Sequence, residues 1–363
     1  MQPKSNVVHL PVYNPGKPVE DVKRELGLDH VIKLASNENP YGFSNEAKNA
    51  MLAELTNSNV YPDGASLVLA QELASKLSAQ TNQLIFGAGS SEVIVLAART
   101  FLAPGDETIM ANETFSQYRH NAQIENANII EVPLKEGKHD LPAMLAKITE
   151  RTKIVWICNP NNPTGTIVSD DELRAFLNDV PSHVLVVLDE AYREFVDAAE
   201  YSDGVELLKS YSNLLVLRTF SKVYGLAAHR IGYGVSSPQV IQFMNQIREP
   251  FNTTRLAQAG ALGSLKDDAF VASCKEHNLE GIRYITEQFD RLGLSYFPAH
   301  GNFILVDAHR PSGEVFDAML RKGVIVKGRW ANYPTYIRVS VGTPEQNAAF
   351  IEAFEQVLQE VTV

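Results

Sequence analysis

Lys222 stands just beyond an apolar run, Leu214–Leu217, behind Arg218, Thr219 and Ser221 and eight residues ahead of Arg230. An amine at the end of a buried strand is costly unless it is solvated, paired or used covalently. The hydroxyls and the arginine around it form a cradle suited to an anion. Gly225, Gly232 and Gly234 permit close backbone approach there. A surface loop following a strand accounts for the same residues, so this stretch alone leaves both readings open.

Four other places carry residues that could do chemistry. Gly87-Ala-Gly-Ser-Ser91 joins the short apolar strand Leu84–Phe86 to an apolar helix, Glu92–Phe101. Such a turn can aim free amides at one point and bind phosphate, although an ordinary strand-to-helix connection also uses Gly and Ser. Asn159-Pro-Asn-Asn-Pro-Thr-Gly165 packs three asparagines, two prolines and a glycine behind the strand Thr152–Cys158. That composition predicts a rigid turn presenting amide side chains to a ligand. Asp189 ends the apolar run Val184–Leu188 and needs a cation or hydrogen-bond donors. Arg338 lies in the alternating stretch Tyr336–Val341, where an inward arginine calls for an anion.

The elements that must position these groups alternate in type. From Glu107 onward, strands at 107–111, 128–132, 152–158 and 184–188 interleave with helices at 115–124, 141–148 and 170–176. That order predicts a mostly parallel α/β sheet covered on both faces, with ligands at the carboxyl ends of its strands. The first forty residues are rich in turns, followed by helices over 46–55 and 67–77, the latter with Leu67, Ala70, Leu73 and Leu77 on one face. In the last third, helices are expected over 279–292 and 313–320 and a strand over 301–306.

Composition narrows the function classes. A 363-residue chain with 45% hydrophobic and 21% charged residues is ordinary for a globular protein of one large and one smaller domain. Its net charge of −11, with no basic run, argues against nucleic acid or an anionic membrane as partner. Two cysteines, Cys158 and Cys274, offer neither a disulfide framework nor a metal site. With no signal peptide and no long apolar span, the expected compartment is the cytoplasm.

Taken together, Gly89-Ser-Ser91, Asn159–Gly165, Asp189-Glu-Ala-Tyr192 and Ser221-Lys222 with Arg230 resemble the class I and II, fold-type-I aminotransferases that use pyridoxal phosphate. Tyr13-Asn-Pro-Gly-Lys-Pro-Val19, Leu34-Ala-Ser-Asn-Glu-Asn-Pro-Tyr-Gly42, Tyr61-Pro-Asp-Gly64 and Ile337–Gly342 resemble the histidinol-phosphate aminotransferases within them. The likeness runs along nearly the whole chain. It implies a seven-stranded, mostly parallel sheet in a large domain at 44–254. A smaller α+β domain would be built from 1–43 and 255–363.

The resemblance also implies roles. Lys222 would attach the cofactor covalently and, once released, carry the proton of the substrate α-carbon. Asp189 would pair with the pyridinium nitrogen, while Tyr192 and Asn162 would bond the ring's phenolic oxygen. Amides of Ser90 and Ser91, with Thr219, Ser221 and Arg230, would hold the phosphate, and Phe115 would stack on the ring. Tyr61 would reach the cofactor phosphate of a second subunit, implying a homodimer. Arg338 would receive the carboxylate of glutamate or 2-oxoglutarate, and Tyr13 and Asn39 would line the substrate pocket. Where the family often has a phosphate-gripping arginine, this chain has Lys327, with Arg329 two residues later. Lysine lacks the bidentate fork, so either Lys327 or Arg329, with Tyr13, would assist on the substrate phosphate, or the pocket would prefer a substrate without phosphate.

The implied reaction is transamination between histidinol phosphate and 2-oxoglutarate. An aromatic amino-acid aminotransferase acting on phenylalanine or tyrosine is the alternative. A decarboxylase of phosphorylated amines shares the scaffold. A pyridoxal-binding regulator would need an added DNA-binding segment, and none is expected ahead of the first motif. A dinucleotide-binding dehydrogenase is set aside, because Gly87–Ser91 lacks the full glycine fingerprint.

Overall fold

The computed structural model describes residues 2–8, 10, 12 and 18–361. Tyr13 lies outside the described residues. Seven strands form the central sheet: β2 (Leu84–Gly87), β3 (Glu107–Ala111), β4 (Asn128–Val132), β5 (Thr152–Cys158), β6 (Leu185–Asp189), β7 (Leu214–Thr219) and β8 (Gly232–Ser236), after a short β1 (Ile32–Lys33). Their order is β2-β8-β7-β6-β5-β3-β4, and β8 runs antiparallel to both its neighbours while the other pairs are parallel.

Alternation along the strands explains why both faces are covered. On β5, Ile154, Trp156 and Cys158 feed one core, with Ile94, Leu96, Tyr118 and Met244. Val155 and Ile157 feed the other, with Leu73, Leu173, Val216 and Ala261. Fully buried strands read as continuous apolar runs, which is why the sequence located them closely.

A separate core lies around β9 (Phe303–Asp307) and β11 (Tyr336–Ser340), which pair antiparallel, and around Phe289, Phe350 and Phe354. β1 pairs in parallel with β10 (Val324–Ile325), so Ile32–Lys33 join this second body of structure, whereas Asn6 donates to the Gln123 and Ile124 carbonyls beside the large sheet.

Helix ends depart from the sequence reading where local chemistry overrides periodicity. The helix expected over 92–101 begins at Ser90 and that expected at Phe115 begins at Gln117. The helix over 141–148 ends at Leu145, that over 170–176 extends to Asp179, and that over 279–292 begins at Asp268, capped by the Asp267 side chain. On the helix Leu67–Lys76, Leu67 is exposed, and Leu69, Ala70, Leu73 and Ala74 are the buried residues.

Candidate active site

The parallel strands deliver their carboxyl ends to one edge of the sheet. β8 brings its amino end to the same edge because it is antiparallel. In register, Gly232 lies between Thr219 of β7 and Gly87 of β2. A cavity of about 690 Å³ opens there, between the large sheet and the β9–β11 body. Ser90, Ser91, Phe115, Asn162, Asp189, Tyr192, Thr219, Ser221, Lys222, Arg230, Lys327 and Arg338 all line it.

At its floor the Asp189 carboxylate is 2% exposed. It accepts hydrogen bonds from the Tyr118 hydroxyl at 2.7 Å and the Ala191 amide at 3.1 Å. Burial pushes its pKa up to about 6, with those two bonds and Lys222 opposing and Glu190 adding to the rise. A carboxylate held this way favours a cationic partner brought by a ligand. Tyr118, stacked on Trp156 at 4.9 Å, escaped the sequence reading. Its only signal was a polar ring inside an apolar helix face.

Tyr192 is buried, and its hydroxyl accepts from Asn37 Nδ2 at 3.1 Å and Asn162 Nδ2 at 3.3 Å. Burial raises its pKa to about 12. Lys222, half-buried, donates to the Ser36 carbonyl at 3.2 Å and sits 5.4 Å from the Tyr192 ring centre. Burial, then the Arg338 charge, lower its pKa to about 8, against Glu38, which raises it.

One wall is built for an anion. The helix Ser90–Phe101 has Gly89 at its start with φ 80° and no side-chain cap, so its first amides stay available. Arg230, itself at φ 54°, donates to the Ala88 carbonyl at 3.0 Å and to Ser221 Oγ at 3.3 Å. The Ser221 amide donates to Thr219 Oγ1 at 3.1 Å. Arg218 does not join this cradle. It is buried below it, donating to Glu190 at 2.9 Å and paired with Asp203.

On the opposite wall Arg338, 6% exposed, bonds the Asn162 side chain and, at 2.6 Å, the Ala35 carbonyl. Its guanidinium lies 5.2 Å from the Phe303 ring and 5.7 Å from that of Trp330. Lys327 exchanges backbone hydrogen bonds with Arg338 at 2.7 and 3.0 Å. Its amine is lowered in pKa by burial and by Arg338.

Three expected site residues lie elsewhere. Arg329 does not line the cavity; it pairs with Asp317 at 2.8 Å, its side chain 60% exposed, and its guanidinium lies 5.2 Å from the ring of Phe316, which does. That exposed pair holds Arg329 outside the cavity lining, whereas Lys327 is part of it. Asn39 does not line the cavity either; its amide donates to the Val223 carbonyl at 2.7 Å and bolsters the Lys222 loop, while Asn37 occupies the cavity wall. Tyr61 is 76% exposed and stacks on Phe251 at 4.7 Å, outside the cavity of its own chain.

Residues 29–354 match the family model "Aminotransferase class I and II". The chain is 52% identical over 359 residues to the histidinol-phosphate aminotransferase of Brevibacillus brevis, covering 99% of each. It is 49% identical over 360 residues to that of Bacillus subtilis, covering 99% of this chain and 100% of the relative. The histidinol-phosphate aminotransferase of Sinorhizobium meliloti, solved with pyridoxal-5'-phosphate, superposes with a TM-score of 0.91 at 24% identity over 98% of this chain and 97% of that one. The chain thus belongs to the class I and II aminotransferase family, on the branch that holds the histidinol-phosphate aminotransferases.

Proposed function

We propose that this chain transfers an amino group between histidinol phosphate and 2-oxoglutarate, with pyridoxal phosphate as cofactor, in histidine biosynthesis. The observation that carries the reading is that Lys222, Asp189 and Arg338, delivered by β7, β6 and β11, line a single cavity.

The residues present fit the cofactor. A buried carboxylate with a raised pKa is matched by a protonated ring nitrogen. The uncapped helix start and Arg230 are matched by a phosphate. Tyr192 and Asn162 would hold the phenolic oxygen, Phe115 the ring face, and Thr219 and Ser221 the rest of the phosphate. When bound, pyridoxal phosphate supplies an electron sink for the bond broken at the amine-bearing carbon of the substrate.

The chain's own contribution is proton transfer and grip. With a pKa near 8, Lys222 Nζ has an appreciable neutral fraction near neutral pH and can move the proton released at that carbon. Arg338 would be the central anion contact of both half-reactions, receiving the carboxylate of glutamate or 2-oxoglutarate and sharing the phosphate of histidinol phosphate. Lys327, not Arg329, would meet the phosphate of histidinol phosphate, and Tyr13 remains a proposed contact. Tyr61 would complete the site of a second copy in a homodimer.

Purified enzyme given histidinol phosphate, phenylalanine and tyrosine should favour histidinol phosphate in kcat/KM by about tenfold or more. A preference for phenylalanine would transfer the function to aromatic amino acids. Arg338→Ala should weaken both half-reactions by about 2–5 kcal/mol, the cost of leaving a buried charged partner unpaired. Arg329→Ala should leave kcat/KM for both substrate types nearly unchanged.

A further inference from the structure

The wall that carries Lys327 and Trp330 is irregular chain between β10 and β11, with Arg329 at φ 69°. Its base is pinned by the Lys327–Arg338 backbone pair and by the Arg329 amide, which donates to Ser312 Oγ at 3.1 Å. Its far end is pinned where the Ser312 amide donates to the Pro334 carbonyl at 2.8 Å. Between these points, the chain is tied to Glu113, on the loop leaving β3. Glu113 is 8% exposed, and its Oε1 accepts both the Asn332 amide at 2.9 Å and Asn332 Nδ2 at 3.0 Å.

Glu113 is itself rooted in the site. Its carbonyl accepts from Asn161 Nδ2 at 3.1 Å, and Asn161 Oδ1 accepts from Thr114 Oγ1 at 2.8 Å. The carboxylate is thus anchored to Thr114 and Asn161, whose chain neighbours Phe115 and Asn162 line the cavity. Two residues before Asn332, the Trp330 ring lies beside the Arg338 guanidinium. Trp330 Nε1 is buried without a hydrogen-bond partner among the described residues, so no bond of its own fixes the indole. A carboxylate taking two donors from one residue supplies both energy and orientation.

We propose that Glu113 and Asn332 are positioning residues, a clasp between the large sheet and the β9–β11 body that holds Trp330 against Arg338 and Lys327 over the cavity. The clasp thereby sets the affinity of the site for carboxylate- and phosphate-bearing substrates. This rests on Arg338 and Lys327 being the anion-binding side chains of the reaction proposed above. Neither clasp residue touches Lys222 or Asp189, so the loss belongs to binding and not to the chemical step.

The test uses the holoenzyme with Glu113→Ala, Asn332→Ala, the double variant and Glu113→Gln. Each alanine change should raise KM for histidinol phosphate and 2-oxoglutarate about tenfold while kcat stays within about twofold. The double variant should be no worse than either single, because both remove one interaction. Glu113→Gln should recover most of the affinity, since an amide oxygen accepts the same two donors. Multiplicative losses in the double variant, or a fall in kcat with KM unchanged, would overturn the clasp.

A second readout needs no substrate. The chain has two tryptophans, and Trp156 is fully buried, so acrylamide quenching reports mainly on Trp330. Glu113→Ala should increase quenching, and the increase should vanish in a Trp330→Phe background. Unchanged quenching sinks the clasp even if the enzyme proves to act on another substrate. Failure of the wild type on histidinol phosphate, with quenching as expected, sinks only the substrate assignment. Should Glu113→Ala not fold, Asn332→Ala carries the same two readouts.

Discussion

At the scale of single residues, Lys222 and Asp189 are tuned by burial in opposite directions, to about 8 and about 6. Each shift moves the neutral form toward working pH, which suits an amine that trades protons and a carboxylate waiting for a cation. Lys222→Ala should reduce turnover by at least about 10²-fold while still binding cofactor, and borohydride should no longer fix the cofactor to the chain by mass spectrometry. Near-normal turnover would remove the lysine from the reaction. Asp189 makes a separate prediction for the cofactor-free protein. Its folded pKa exceeds its ordinary 3.8, so the folded state binds that proton more tightly than the unfolded one. Stability from this group is full below about pH 4 and lost as pH rises through about 6. Asp189→Asn should therefore stabilise the cofactor-free protein at pH 8 by about 2–3 kcal/mol and bring no gain at pH 4, measured by urea melts. The same change should cripple transamination, because an amide cannot keep a ring nitrogen protonated. A site that costs stability when empty and works when filled is the expected signature of function.

At the scale of elements, the cradle proposed for the phosphate depends on three pieces of backbone meeting without side chains between them. A Cβ on Gly232 would lie 2.3 Å from the Ser90 nitrogen and 2.7 Å from the Gly89 carbonyl carbon. Both obstacles are backbone, so the helix Ser90–Phe101 would have to move. Gly232→Ala should cost about 1–3 kcal/mol of stability and weaken cofactor affinity, read by urea melts and by titration of the apoenzyme. Unaltered cofactor affinity would mean that the helix start is not the phosphate site. The amino-terminal turn serves the neighbouring loop in a similar way. A Cβ on Gly225 would meet the Gly42 carbonyl oxygen at 1.7 Å, and Asn39 caps the Val223 carbonyl nearby. Asn39 thus props the loop that presents Lys222, which places it beside the cavity lining and not in it.

At the scale of the whole molecule, apolar side chains remain uncovered near one cleft. Val60 is 56% exposed, Tyr61 76% and Phe251 46%, and all three line it with Leu256. Exposed apolar surface of this kind favours a protein partner, and the homodimer proposed above would cover it. Mixing Tyr61→Phe with Lys222→Ala protomers should restore part of the activity that each lacks alone, because a mixed dimer would hold one site with neither lesion. No recovery in verified mixed dimers would assign Tyr61 to its own subunit. Fold alone does not fix a reaction, so the proposed assignment rests on the residues lining the cavity.

The large sheet and the groups at its strand ends were legible in the residues themselves. Buried parallel strands leave continuous apolar runs such as Leu214–Leu217, and a polar residue at the end of such a run stands out, as Asp189 and Lys222 do. Local chemistry of that kind is written in neighbours along the chain. Partnership across long separations is not. Tyr118 meets Asp189 over 71 residues, Asn37 meets Tyr192 over 155, and Glu113 meets Asn332 over 219. Nothing adjacent to those residues signals the contact, because a hydrogen bond depends on where two elements come to rest. For the same reason the sequence left Lys327 and Arg329 as equal candidates for an anion. Folding places them differently: Arg329 pairs with the Asp317 carboxylate on the surface, and Lys327 lines the cavity beside Arg338.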